Sequence, residues 1–102
     1  MTEPILLRED RGPVAELTLN RPSALNALSD AMLAALSEEI ARLAEDRAAR
    51  VVILRGAGKA FCAGHDLKEM QAGRQAEDAG RRYFADLFER CSAVMTGLRD
   101  IP

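Results

Sequence analysis

Tryptophan is missing from this chain of 102 residues, and aromatic residues of any kind make up only 4% of it. Stacking platforms for nucleic-acid bases are therefore not expected. With 14 basic and 16 acidic residues, the charge balance leaves no basic footprint for nucleic acid either. Long apolar runs are lacking too: nothing approaches the roughly 20 residues of a transmembrane helix, so no membrane span is expected. The N-terminal stretch MTEPILLRED is acidic and has no basic-then-apolar order of the kind a secretion signal shows. Cys62 and Cys91 are too few for a disulfide framework and point to a reducing, cytoplasmic setting. What remains is one domain with a modest core. It fits a cytoplasmic enzyme, a part of one, or a small binding module.

Ile5-Leu6-Leu7-Arg8 reads as a short strand, and Glu9-Asp10-Arg11-Gly12-Pro13 after it as a turn. Val14 to Leu19 alternates, with Ala15, Leu17 and Leu19 out of phase with Val14 and Glu16, so the two segments predict a hairpin. Asn20-Arg21-Pro22 ends it, because proline cannot donate to a sheet ladder. Ser29 is suited to cap a helix in which Met32, Leu33, Leu36, Ile40 and Leu43 recur at helical spacing. Val51-Val52-Ile53-Leu54 is the pattern of a parallel strand buried on both faces. Strand, helix and buried strand in this order predict an α/β fold. A short helix is expected from Asp66, with Glu69 three positions on as in a capping box and Gly73 at its end. A polar stretch from Arg74 to Asp78 then leads to a last helix. Its Tyr83, Phe84, Leu87, Phe88, Cys91, Val94, Met95 and Leu98 share a broad apolar face.

Chemistry belongs where the buried strand delivers the small-residue loop Gly56 to His65 to a helix start, since unpaired N–H groups there can serve an anion. The loop fails both phosphate-binding fingerprints: Ala60 stands where a Walker loop needs Ser or Thr, and Phe61 where the dinucleotide motif needs its third glycine. Cys62 with His65 has no evident third residue to form a nucleophilic set. His65 and Asp66 are adjacent, and with no second histidine they make a poor metal site, so no metal is expected. An oxyanion hole at the His65 main-chain N–H, with small Ala63 and Gly64 allowing close approach, competes on spacing alone with a structural turn.

Three motifs in order decide between these readings. Asn20-Arg21-Pro22-Ser23-Ala24-Leu25-Asn26-Ala27-Leu28, Val51-Val52-Ile53-Leu54-Arg55-Gly56 and Lys59 through Met70 together resemble the crotonase superfamily, the enoyl-CoA hydratase/isomerase family. The resemblance covers essentially residues 1–102 but only the N-terminal portion of the family's fold, a spiral of β-β-α units. It implies an acyl-CoA thioester as substrate, with coenzyme A part of that substrate and no separate cofactor. One oxyanion donor would be the N–H of His65, beside Gly64. CoA contacts would map to Ser23, Ala24, Leu25, Ala63, Asp66, Leu67 and Lys68, with Arg21 a second charged candidate beside Lys68. The simplest implied reaction is hydration of a 2-enoyl-CoA. Isomerase or decarboxylase chemistry on the same hole, or an inactive CoA- or partner-binding remnant, are the alternatives. The family also implies a trimer-based homo-oligomer. His65 replaces the small residue, commonly alanine, that most hydratases carry, so its side chain either lines the acyl pocket or only packs. None of Glu38, Glu39, Glu69, Glu77 or Glu89 matches the family's acid/base positions.

Overall fold

The computed structural model describes residues 4–75 and 78–100; Glu77 and the Ile101-Pro102 end lie outside them. Its order is β1 (Leu6–Arg11), β2 (Val14–Leu19), a 3₁₀ turn (Pro22–Ala24), α1 (Asp30–Glu45), β3 (Val51–Gly56), α2 (Leu67–Gly73) and α3 (Arg81–Asp100). The strands lie side by side as β1-β2-β3, the first pair antiparallel and the second parallel. The β2-α1-β3 crossover is thus the β-α-β unit expected from the strand and helix patterns.

The hairpin is longer than its apolar residues predicted. β1 runs on through Glu9, Asp10 and Arg11, and Arg11 pairs with Val14, leaving only Gly12 and Pro13 to turn. Gly12, at φ 60°, allows so tight a reversal. The charged stretch stays extended with its side chains paired along the strand, Asp10 with Arg8 at 3.0 Å and Glu9 with Arg11 at 3.3 Å, and with Arg11 facing β2. The buried carboxylate of Glu16 accepts from Arg55 at 3.0 Å and lies 3.9 Å from Arg11. Arg8 reaches from β1 to Glu39 at 3.3 Å and to Asp46, just past α1, at 2.6 Å.

α1 begins where Ser29 accepts a hydrogen bond from the Met32 N–H at 3.1 Å. Met32, Leu33, Leu36 and Leu43 are its buried side chains. The first three pack with Leu19, Leu28, Leu87 and Val94, and Leu43 packs with Ala15 and Leu17 under the sheet. Each such side chain, fully buried, stabilises the fold by ~1.5–3 kcal/mol.

One expectation of burial is corrected. β3 is not buried on both faces: Val51 and Ile53 are exposed, while Val52 and Leu54 turn inward against the Ala15-Leu17-Leu43 cluster. The reason is layering: Leu43 of α1 packs on the face carrying Ala15, Leu17, Val52 and Leu54, while Val51 and Ile53 stand beside Val14 and Glu16 on the opposite face. The broad apolar face of α3 is covered in part. Leu87 and Val94 are buried, whereas Phe88 and Met95 stand half in solvent.

Candidate functional site

Two loops meet beside the start of α2, and backbone hydrogen bonds hold them in register. The Ala63 N–H donates to the Leu25 carbonyl at 3.0 Å, Leu28 N–H to Gly64 at 2.7 Å, and Asp66 N–H to Leu28 at 3.1 Å. This is a short parallel bridge centred on Leu28 and His65. It fixes the direction of one further group. Gly64 C=O and His65 N–H belong to the same trans peptide and point opposite ways. With the carbonyl drawn onto Leu28, the His65 N–H is turned away from that strand. No acceptor among the described residues takes it.

Gly64 makes this plane possible by adopting φ 96°, a conformation L side chains rarely hold. A Cβ there would meet no atom within 4 Å, so the demand is on the backbone and not on space. The two loops enclose a cavity of about 330 Å³. Arg21, Ser23, Ala24, Leu25 and Ala27 line one wall, and Ala63, His65, Asp66, Leu67 and Lys68 the other. Every substrate-contact candidate from the motifs is therefore at this cavity. A larger hollow of about 520 Å³ lies at the far end of α1, between Ala44 and Arg50, away from these loops.

The charged candidates differ in what they are free to do. Lys68 is exposed and has no ion-pair partner among the described residues. Asp66 is committed: one oxygen caps α2 by accepting from Lys68 N–H at 3.0 Å and Glu69 N–H at 3.2 Å, and the other meets Arg21 at 3.0 Å. The Arg21 guanidinium and these amide donors hold the Asp66 carboxyl below its ordinary value of 3.8. Arg8 does the same for Asp46. A depressed carboxylate contributes stability that is complete above the unfolded pKa and is lost as pH falls through the folded one. The urea midpoint is therefore expected to hold steady from neutral pH to about 5 and to fall below about 4. An Asp66→Asn variant starts from a lower midpoint and falls less steeply; an acid limb identical to the wild type's would remove this role of Asp66.

The capping box forms only by half. Asp66 caps α2, but Glu69 does not reach back to it; its carboxylate accepts from the Asp30 N–H at 2.7 Å and so serves the first turn of α1. The side chain of His65 packs edge-on against Phe88, with ring centroids 5.8 Å apart, and its Nδ1 is buried without a hydrogen-bond partner among the described residues. Cys62 is not paired with it: its sulfur lies 3.5 Å from the Gly64 amide nitrogen.

Asn26 is the site residue that the sequence reading missed. Fully buried and at φ 55°, it accepts from Arg21 N–H at 2.7 Å and donates to the carbonyls of Ala57 at 2.9 Å and Ala60 at 2.8 Å. It clamps the loop after β3 to the loop after β2. The usable signal is an asparagine in a turn, where that residue type tolerates a left-handed backbone.

Residues 14–98 match the model of the enoyl-CoA hydratase/isomerase family. The chain is similar to the enoyl-CoA hydratase domain-containing protein 3, mitochondrial, of Homo sapiens, 38% identical over 89 residues that span 87% of this chain and 28% of that protein. It is similar to a probable enoyl-CoA hydratase of Rhizobium meliloti, 45% identical over 71 residues, or 70% of this chain and 28% of that one. Among solved structures, an enoyl-CoA hydratase of Mycobacterium smegmatis superposes with a TM-score of 0.89 at 53% identity, covering 98% of this chain and 37% of that one. One from Bacillus anthracis gives 0.85 at 32% identity, over 96% and 36% of the two chains. The chain thus spans between about a quarter and two fifths of the relatives it matches.

Proposed function

Since the chain belongs to the enoyl-CoA hydratase/isomerase family, we propose that the cavity between its two loops binds an acyl-CoA thioester and that the His65 N–H is one donor to the thioester oxygen. The observation carrying this reading is that N–H, turned outward by its own peptide plane and unclaimed among the described residues. A thioester carbonyl gains negative charge when its α-proton leaves or a nucleophile adds at Cβ. A fixed amide binds that charge more tightly than it binds the ground state, and one such donor is worth ~3 kcal/mol in the transition state.

Hydration of a 2-enoyl-CoA is the simplest reaction for such a hole. Proton transfer needs a further group, because Asp66, the one carboxylate lining the cavity among the described residues, is committed to Arg21 and the α2 amides. For residues 1–102 themselves the function proposed is therefore binding and polarisation of the thioester. Coenzyme A enters as part of that ligand, and a reducing, cytoplasmic setting stays with the proposal on the strength of the two unbridged cysteines. A homo-oligomer is part of it too: the open edge of β3 and the exposed Val51, Ile53, Phe88 and Met95 offer surface for association.

Lys68, a lining cation without an ion-pair partner among the described residues, is assigned to the nucleotide phosphates. Calorimetry of Lys68→Ala with coenzyme A at low salt should show affinity weakened about 2- to 5-fold, the effect of one exposed charge pair. That difference should shrink as salt is added. Equal affinity at low salt would take Lys68 out of the site. A wild-type chain that binds neither coenzyme A nor its thioesters would overturn the proposal as a whole.

A further inference from the structure

Arg21 stands on the wall of the cavity, and its chemistry invites assignment to a ligand phosphate. Its contacts indicate otherwise. The Arg21 N–H donates to Asn26 Oδ1, and its carbonyl accepts from Ala24 and Asn26 N–H, so the residue is fixed at its base within the loop after β2. Its guanidinium crosses to the opposite wall and meets Asp66 Oδ2 at 3.0 Å, where the Asp66 side chain is only 9% exposed. Asp66 follows His65 directly and is itself anchored by Leu28 through its N–H and by the first turn of α2 through Oδ1. An anion drawn to Arg21 would have to compete with a buried carboxylate already in place, whereas Lys68 nearby has no ion-pair partner among the described residues.

We propose that Arg21 is a positioning residue: through Asp66 it ties the two walls together at the rim and holds the His65 amide in its outward aim. The ion pair complements the three backbone bonds of the Leu25–Leu28 bridge. Removing the guanidinium leaves a largely buried carboxylate without its countercharge, a loss that loosens the residue next to the donor. The part of this that concerns thioester binding rests on the function proposed above.

The test uses Arg21→Met and Arg21→Lys in the full chain, with two measurements on each. Amide hydrogen exchange needs no ligand. Exchange at Asp66, Lys68 and Glu69 should quicken about tenfold or more in Arg21→Met, while the middle of α1 is unaffected. The lysine variant should recover part of the protection. In parallel, affinities for acetoacetyl-CoA and for free coenzyme A are compared. Arg21→Met should lose thioester affinity several-fold more than it loses coenzyme A affinity, and Arg21→Lys should narrow that gap. Unchanged exchange at all three amides would overturn the positioning role. So would equal losses for both ligands with a reduced salt dependence, which would make Arg21 a phosphate contact. If the wild type binds neither ligand, the acyl-CoA reading fails, and exchange at the three amides decides alone whether Arg21 positions this turn.

Discussion

Asn26→Ala is expected to lower folding stability by ~2–4 kcal/mol, the cost of leaving several part-buried backbone groups without partners. Three groups lose their partner at once: the Arg21 N–H and the carbonyls of Ala57 and Ala60. The site is fully buried, so water does not readily replace the lost amide. Alanine also holds the left-handed backbone at this position less well than asparagine does. Against a total stability of about 5–15 kcal/mol for a domain, such a loss is a large fraction. Urea unfolding followed by circular dichroism measures it. Asn26→Asp separates shape from donors, because it keeps the oxygen that Arg21 uses but turns a carboxylate toward two carbonyls. It should be at least as destabilised at neutral pH and should recover partly on acidification, when a protonated carboxyl regains one donor. A loss below about 1 kcal/mol in the alanine variant would show that the two loops are held by something else.

Gly64→Val carries the largest expected effect on ligand binding. A left-handed φ costs a β-branched residue about 1–3 kcal/mol, with nothing nearby to clash and so nothing for repacking to relieve. The chain either bears that strain or swings the Gly64–His65 peptide to a negative φ. Swinging it breaks the 2.7 Å bond from Leu28 and carries the His65 N–H off its outward aim. Affinity for acetoacetyl-CoA, whose thioester enolises, should fall about tenfold or more, in line with losing an oxyanion donor. Affinity for free coenzyme A should hold, since the contacts proposed for it lie on both walls and not on this plane. Gly64→Asn, a side chain that tolerates left-handed backbone, should retain more of the thioester affinity than valine does. Valine binding both ligands as the wild type does would remove the His65 amide from the site.

Local patterns in the chain were legible where local physics decides them. Ser29 before the Met32-Leu33-Leu36 periodicity marks the start of α1, and the alternation from Val14 to Leu19 marks β2. The helix at Asp66 begins where its cap residue marks it, because a cap follows from adjacent residues. What sequence could not show were contacts made across the chain. Asn26 finds its two carbonyl partners 31 and 34 residues away, and Arg21 finds Asp66 45 residues away. Glu69 has the spacing of a capping box, yet the N-terminus of α1 lies close enough to claim it. The run Val51–Leu54 is apolar enough for a strand buried on both faces, but burial of a face depends on the layer packed on it, and α1 packs on the side of Val52 and Leu54.

The most direct measurement follows the backbone amide of His65 by nuclear magnetic resonance as acetoacetyl-CoA and free coenzyme A are added in separate titrations. A hydrogen bond formed from that N–H to the thioester oxygen shifts its proton downfield with the thioester and leaves it nearly unmoved with coenzyme A. The amides of Ser23, Ala24 and Lys68 should respond to both ligands. A His65 amide that stays still while the thioester binds, or that moves equally with both ligands, would contradict its role as the oxyanion donor.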